Sequence, residues 1–224
     1  MLKQKQSKSR ARNRRTVVRT RSKDYRKKNG TLMIFDVVMI SGKMGSGKST
    51  LAAELRKEIR QHKKWAVEEL IFAEAIYDMH NYCLRYLRDC GIDRGMKDGR
   101  LLQLLGTEWG RKTVGEEVWV DVFKSKLNAL LEKYEMAGME HLVVLVPDVR
   151  FPNELSAAPG SLNIRLECSE EVRRSRCNSW RDDVNHPSEI GLDGCLDQFH
   201  YVFDTEKVPA REIARKVFWE RLAT

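Results

Sequence analysis

The chain has 224 residues, a net charge of +9 at pH 7 and 42% hydrophobic residues. This length suits one α/β domain with a substantial core. No apolar stretch approaches the ~20 residues that span a bilayer, which excludes a helical membrane protein and favours a cytoplasmic location. The five cysteines form no Cys-x-x-Cys pair and no metal-ligand spacing with the five histidines, as expected of free thiols in a reducing compartment.

The positive charge is concentrated in residues 1–30, which hold thirteen Lys or Arg and one acid, Asp24. Because this segment has almost no apolar residues, we predict a disordered basic tail over 1–30 and a folded domain over 31–224. Three interpretations of the tail remain open. It is an arm for nonspecific contact with nucleic acid, a targeting segment, or an inert segment before a true start at Met33.

The first predicted elements of the domain are a strand, a glycine-rich loop and a helix. Residues 32–40 form an almost continuous apolar run, which predicts a strand buried on both faces. Residues 42–49 read Gly-Lys-Met-Gly-Ser-Gly-Lys-Ser, a complete phosphate-binding loop, and Leu51, Leu55 and Ile59 follow at helical spacing. In such loops glycines turn N–H groups toward phosphate, the lysine reaches the β- and γ-phosphates and the serine binds Mg²⁺. The order of elements therefore predicts a site for ATP or GTP with Mg²⁺.

Helices and strands alternate along the rest of the chain. Hydrophobic periodicity predicts helices over 68–90, 100–105, 116–134, 170–181 and 209–222, and strands over 142–146, 161–168 and 199–203. This alternation predicts an α/β fold of three layers, α/β/α, with a parallel sheet and right-handed crossovers, as in P-loop NTPases.

Two further features suggest chemistry. Asp148 follows an apolar strand, at the end of the sheet where α/β proteins bind ligands, and can either hold Mg²⁺ beside Ser49 or cap the following turn. Arg150, two residues on, can grip a phosphate with both guanidinium nitrogens. The sequence thus predicts acid and cation together at the carboxyl end of one strand.

A very basic helix follows the third buried strand. Its arginines at 173, 174, 176 and 181 fit a small helical lid over about 169–190 that stabilises a transferring phosphoryl group, or else a solvated helix face. No strong general base is apparent, which favours a phosphate acceptor, although Asp148 leaves an alcohol acceptor open. The chain has no Asp-x-x-Gly and no Asn-Lys-x-Asp, so GTPase signatures are missing. A small-molecule or nucleotide kinase is the interpretation that remains.

Three segments, together with the loop, carry a family resemblance. Residues 102–111 (Leu-Gln-Leu-Leu-Gly-Thr-Glu-Trp-Gly-Arg), 147–154 (Pro-Asp-Val-Arg-Phe-Pro-Asn-Glu) and 186–189 (His-Pro-Ser-Glu) resemble the deoxynucleoside monophosphate kinases of tailed bacteriophages. The resemblance runs from about 33 to 204 and implies a nucleoside monophosphate kinase-like fold that transfers the γ-phosphate of ATP to a deoxynucleoside 5′-monophosphate. A similar loop, Asp-x-Arg segment and lid occur in animal phosphomevalonate kinases, the nearest enzymatic alternative. A nucleic-acid-binding P-loop protein that uses the basic tail is the alternative from another class.

Position by position, the resemblance implies three sets of site residues. The sequence leaves open whether the protein is a monomer or a homodimer. The catalytic set is Lys48, Asp148, Arg150 and Arg176. The set that holds ATP and Mg²⁺ is Gly42, Lys43, Gly45, Ser46, Gly47, Lys48, Ser49, Thr50 and Arg173, with Ser49 and Asp148 on the metal. The set that binds the acceptor is Gln103, Thr107, Glu108, Arg111, Asn153 and Glu154. Residues 203–206 depart from the family, in which an Asn-containing turn often lies near the adenine.

Overall fold

A computed structural model of the chain describes residues 23–26, 32–177, 180 and 187–223. Within these ranges the centre of the fold is a six-stranded sheet. Its strands are β1 (Lys23–Arg26), β2 (Leu32–Ser41), β3 (Trp65–Glu69), β4 (His141–Val149), β5 (Leu162–Glu167) and β6 (Tyr201–Asp204). Five strands are parallel in the order β3-β4-β2-β5-β6, and β1 pairs antiparallel with the start of β2.

Helices cover the sheet and form its connections. The α-helices are α1 (Lys48–Ile59), α2 (Glu74–Asp89), α3 (Gly99–Gln103), α4 (Val118–Met136), α5 (Pro152–Leu155), α6 (Glu170–Arg176), α7 (Pro187–Ile190) and α8 (Ala210–Val217). Two π-helical segments, Leu104–Val114 and Phe218–Leu222, continue α3 and α8, and a 3₁₀ turn spans Leu196–Gln198. None of the helices in the described ranges is long and apolar enough to cross a membrane.

The sheet is buried on both faces, as the apolar runs predict. In β2, Val38 and Ile40 face a core that contains the apolar side chains of α1 and α8. Val37 and Met39 face the opposite core, which contains those of α4. Alternate residues of β4 divide between the same two cores. The predicted three-layer α/β/α fold with a parallel sheet is therefore confirmed.

β1 lies inside the segment predicted to be disordered. It pairs with residues 32–35 of β2, whereas β5 pairs with residues 38–41. β4 pairs with β2 along one edge of that strand, so β1 and β5 share the opposite edge of β2, one after the other. Residues 1–22 and 27–31 lie outside the described residues, and there the prediction of a disordered tail stays a prediction.

The structure also differs from the predicted elements in residues 65–90 and 170–181. The helix predicted over 68–90 begins only at Glu74, because residues 65–69 form β3. Trp65 and Val67 pack against the core of α1 and α8, and Ala66 is buried in the opposite core, but these three are the only apolar residues of β3. A run this short does not predict a strand, which the backbone pairing with β4 defines. The basic helix predicted to reach 181 ends at Arg176, and residue 181 lies outside the described residues.

Two features of the sheet position the site. The loop after β2 lies where the strand order reverses, with β4 on one side and β5 on the other, which is where open α/β sheets bind ligands. β4 also carries an extra residue: Met39 pairs with Val146, but Ser41 pairs with Val149. This bulge accommodates Pro147, which has no N–H to donate, and it changes the direction of Asp148 at the rim of the sheet.

Candidate active site

The phosphate-binding loop closes tightly around the start of α1. Gly47 caps the helix in the left-handed conformation (φ 95°). A Cβ on Gly42 would lie 2.5 Å from the carbonyl oxygen of Leu166, and one on Gly45 would lie 2.6 Å from that of Arg173. Glycine is therefore required at these positions by conformation or by close approach of the backbone. The result is a concave loop of N–H groups at a helix N-terminus, which is suited to bind an anion.

Lys48 is held within the loop at the start of α1. Its Nζ donates to the carbonyl oxygens of Gly42 (2.6 Å) and Lys43 (2.9 Å). Burial and, to a smaller extent, the nearby Arg150 guanidinium lower the pKa of Lys48 to about 8, although Glu189 and Asp148 oppose the shift. An anion bound beside Lys48 would stabilise its charged form.

Asp148 links the end of β4 to the beginning of α2. Its Oδ1 accepts a hydrogen bond from the N–H of Phe72 (3.1 Å), and its Oδ2 accepts one from the N–H of Ala73 (3.0 Å). The carboxylate thus binds the turn before α2 rather than the turn that follows it in sequence. Burial raises the pKa of Asp148 against these two hydrogen bonds.

Arg111 and Glu154 form a buried ion pair at the same end of the sheet. Arg111 Nη2 donates to Glu154 Oε1 at 2.5 Å, and its guanidinium lies 4.1 Å from the ring centroid of Phe151. Glu154 Oε2 accepts hydrogen bonds from the N–H groups of Arg150 (2.8 Å) and Phe151 (3.2 Å). Burial raises the pKa of Glu154 to about 7, although these N–H groups and Arg111 oppose the shift. The pair fixes Arg111 next to the backbone of Arg150.

The π-helical segment after α3 positions Arg111. Gly106 and Gly110 lie one turn apart, and the indole of Trp119 packs against them. A Cβ on Gly110 would lie 2.4 Å from that ring, and Trp119 Nε1 donates to the carbonyl oxygen of Gly106 (2.8 Å). Since Trp119 is only 3% exposed, Gly110 is needed for this close packing, and Arg111 follows directly. A Cβ on Gly106 would instead lie 3.1 Å from Ile76 Cδ1 of α2.

A cleft of about 380 Å³ lies between α2, the π-helical segment 104–114, the end of β4 and α7. We call it the α2 cleft. It brings together seven of the predicted site residues: Gln103, Thr107, Arg111, Asp148, Arg150, Glu154 and Arg173. Its apolar and aromatic walls include Phe72, Ile76, Tyr77, Trp119 and Phe151. The cleft therefore combines cations with flat apolar surfaces.

A second cavity, of about 490 Å³, lies on the other side of the loop, near the ends of β5 and β6. We call it the β6 cavity. Three of its residues carry buried polar atoms that have no hydrogen-bond partner within the described part of the chain: Ser46 Oγ, Arg165 Nε and Arg173 Nε. Lys43 lines it too. Donors without acceptors beside the loop fit a phosphorylated ligand. Arg173 lines both this cavity and the α2 cleft.

The α2 cleft is not lined by Glu108 and Asn153 of the predicted acceptor set or by Arg176 of the predicted catalytic set. Glu108 is exposed and pairs with Lys112 one turn on. Asn153 donates to the carbonyl oxygen of Glu116 (3.3 Å) and to Glu117 Oε1 (3.0 Å). Arg176 donates to Thr205 Oγ1 (2.9 Å) and to the carbonyl oxygen of Thr205 (3.1 Å), beside the β6 cavity. Glu108 and Asn153 thus support neighbouring segments, and Arg176 is on the donor side of the loop if ATP binds there. Ser49 and Thr50 are exposed in the first turn of α1.

The structure adds residues that sequence reasoning did not assign to the site. Asp193 bridges Lys43 of the loop (2.9 Å) and the buried Arg165 of β5 (2.6 Å). Glu189 contacts both the loop and Arg150. The sequence signal for Glu189 was its place in the segment 186–189, of which His186 lies outside the described residues. Nothing local marked Arg165 or Asp193.

Comparison with known proteins yields only distant structural likeness. No protein-family model and no curated protein sequence matches the chain. A shikimate kinase from Acinetobacter baumannii, solved with shikimate, is 17% identical with a TM-score of 0.44, over 84% of this chain and 94% of that one. The tunicamycin resistance protein of Deinococcus radiodurans is also 17% identical, with a TM-score of 0.45 over 83% and 94%. The shikimate kinase of Aquifex aeolicus is 14% identical, with a TM-score of 0.41 over 82% and 94%. Likeness at this level does not specify a substrate.

The fold and the site together define a P-loop protein of the α/β class. The parallel sheet carries the loop at its switch point, and acidic and basic side chains surround the loop at the carboxyl ends of the strands.

Proposed function

We propose that this protein is an ATP- and Mg²⁺-dependent phosphotransferase that phosphorylates deoxynucleoside 5′-monophosphates to diphosphates. The observation that carries the proposal is the pair of cavities on opposite sides of the phosphate-binding loop, which share Arg173. Two substrates that exchange a phosphoryl group need two sites that meet at the transferred group.

ATP is assigned to the loop and the β6 cavity. The loop N–H groups and Lys48 suit its phosphates, and the Nε atoms of Arg165 and Arg173, which have no hydrogen-bond partner within the described residues, offer further donors. Mg²⁺, held by Ser49 and Asp148 with the phosphates, would neutralise charge on the transferred group. Ser49 lies in the first turn of α1, and Asp148 carries lone pairs beyond its two backbone hydrogen bonds.

The acceptor is assigned to the α2 cleft. Arg111 and Arg150 provide positive charge for a monoester phosphate, and the walls of Tyr77 and Trp119 suit a flat, partly apolar base. Gln103 and Thr107 line the same cleft and offer polar contacts to the nucleoside. A phosphate acceptor is already anionic near neutral pH, so positioning and charge neutralisation suffice for the transfer.

Lys48, Arg150 and Arg173 would supply the positive charge at the transfer point. Arg173 is buried, and Lys48 and Arg150 are partly buried, so bulk solvent screens these charges less than it would on an open surface. Both cavities are partly open to solvent. Phosphoryl transfer then depends on holding the acceptor oxygen in line with the γ-phosphate.

The test is a coupled assay of ADP release with MgATP against the four deoxynucleoside monophosphates, their ribose counterparts and phosphomevalonate. Turnover with deoxynucleotides supports the proposal. Turnover with phosphomevalonate alone would identify phosphomevalonate, and not a nucleotide, as the acceptor. Arg111→Lys should raise the KM for the acceptor and leave that for ATP unchanged, because Arg111 lines only the α2 cleft. An unchanged acceptor KM would make Arg111 a structural residue.

A further inference from the structure

Glu189 of α7 contacts the phosphate-binding loop directly. Its Oε2 accepts a hydrogen bond from the N–H of Met44 (2.8 Å), the third residue of the loop. Its Oε1 accepts one from Arg150 Nη1 (2.5 Å), and its side chain is only 13% exposed. A single carboxylate therefore joins the loop and the arginine at the end of β4.

These partners of Glu189 are groups that bind phosphate in P-loop proteins: a loop N–H, an arginine and, electrostatically, Lys48. Burial raises the pKa of Glu189, but the Met44 N–H, Arg150 and Lys48 outweigh it and hold the pKa below its ordinary value. The side chain is thus an anion at neutral pH. It binds the groups that would bind an oxygen of the transferred phosphoryl group.

The position of Glu189 lies on the acceptor side of the loop. Met44 and Glu189 line the α2 cleft and not the β6 cavity. The lysine of a phosphate-binding loop reaches the β- and γ-phosphates, so an anion coupled to Lys48 on this side lies at the far end of a bound triphosphate. An ADP molecule would not extend as far.

The fold holds α7 firmly against the end of β4. A Cβ on Gly191 would lie 2.8 Å from the carbonyl oxygen of Arg150, so this close approach requires glycine. Leu192 is buried in the core formed by α4 and the sheet. The carbonyl oxygen of Ser188 accepts a second hydrogen bond from Arg150 Nη1 (3.0 Å). The contact of Glu189 with the loop is therefore built into the packing of α7.

We propose that the Glu189 carboxylate competes with the γ-phosphate of ATP for the Met44 N–H and the Arg150 guanidinium. It must therefore leave these groups when ATP binds in the loop. The inference rests on the proposed function only in requiring that the loop bind ATP. This competition makes Glu189 a specificity-determining residue, because the carboxylate weakens the binding of a nucleotide that has a γ-phosphate more than the binding of one that lacks it. Displacing it also frees Arg150 to contact the transferred group.

The test uses the full chain and measures the Kd of the Mg²⁺ complexes of ADP and of a nonhydrolysable ATP analogue by titration calorimetry. Glu189→Gln keeps the size of the side chain and removes its charge. We expect the Kd for the analogue to fall at least about fivefold, the low end of ordinary coupling between sites, and that for ADP to change less. Glu189→Ala also removes the atoms that form the hydrogen bonds. We again expect a fall in the Kd for the analogue and a smaller change in the Kd for ADP.

Glu140→Gln is the matched control, since Glu140 pairs with Lys64 just before β4, at the opposite end of the sheet. It removes the same charge and should leave both Kd values unchanged. An equal or weaker affinity of both Glu189 variants for the analogue would overturn the inference, as would an equal gain for ADP. Failure of the wild-type protein to bind either nucleotide would overturn the proposed function as well, so the two failures are distinguishable.

Discussion

Replacing Arg111 with Met removes one partner of a buried ion pair and leaves the other in place. The Glu154 side chain is 4% exposed, and Arg111 contributes its shortest hydrogen bond. The N–H groups of Arg150 and Phe151 continue to donate to Glu154 in the variant. Methionine also keeps an unbranched chain next to the Phe151 ring, so lost packing is small.

The cost depends on whether Glu154 stays ionised. Removing one partner of a buried ion pair costs about 3–5 kcal/mol when the remaining charge stays buried. Glu154 escapes part of this cost by taking up a proton, because burial has already raised its pKa to about 7. Below that pH the carboxyl is neutral in both proteins. There we expect a loss of about 1–3 kcal/mol, the worth of a hydrogen bond from a charged donor.

Above pH 7 the loss should grow. The pKa of Glu154 is raised above its ordinary value of 4.5 in the folded protein, so the folded state binds more protons between the two values and stability falls as pH rises through that window. Loss of the guanidinium raises the folded pKa further, and the fall then continues to higher pH. The deficit of the variant should widen by about 1.4 kcal/mol per pH unit above pH 7, toward the limit set by a stranded charge.

Urea denaturation at about pH 6, 7 and 8 measures this deficit directly. The double variant Arg111→Met, Glu154→Gln is the control, because it has no carboxyl to titrate and its deficit relative to Glu154→Gln should not change with pH. A deficit of Arg111→Met that is equal at the lowest and highest pH would refute the reasoning, since Glu154 would then not be coupled to Arg111.

Three further perturbations address the loop, the π-helical segment and the β6 cavity. Nucleotide binding somewhat above pH 8 should be coupled to proton uptake by Lys48, because a bound anion raises its pKa from about 8. Calorimetry in buffers of different ionisation enthalpy measures this proton uptake, and Lys48→Met should abolish the uptake. Gly110→Ala should destabilise the fold by about 1–3 kcal/mol through the clash with Trp119, and a change within error in thermal unfolding would contradict the packing described. Arg176→Ala should raise the KM for ATP and leave that for the acceptor unchanged, because Arg176 contacts Thr205 beside the β6 cavity; the reverse pattern in steady-state kinetics would move Arg176 to the α2 cleft.

The local features of the site could be predicted from the sequence. The loop depends on residues 42–49 alone, and the apolar runs on either side of it determine a buried strand and a helix against it. Asp148 and Arg150 were predictable because they lie at the carboxyl end of an apolar strand, and parallel strands end at one edge of the sheet. Arg111 and Glu154 were named only through the family resemblance, and the structure brings both into the α2 cleft.

Other features depend on contacts between distant parts of the chain. The N–H of Met44 meets Glu189 across 145 positions, and no local pattern indicates such a pairing. Glu108 and Asn153 belong to the same segments as Arg111 and Glu154 but point to other partners, and side-chain direction on a π-helix does not follow α-helical spacing. β3 was missed because its apolar residues are only Trp65, Ala66 and Val67, too short a run to predict a strand, and its pairing with β4 joins distant parts of the chain.

The most direct test of the central claim follows the γ-phosphate of ATP. The full chain is incubated with Mg²⁺, γ-labelled ATP and a deoxynucleoside monophosphate, with Lys48→Ala as the control variant, and the products are separated. We predict that the label appears in the deoxynucleoside diphosphate with the wild-type protein and that Lys48→Ala produces none. Label found only in inorganic phosphate, or transfer that Lys48→Ala retains, would contradict the account.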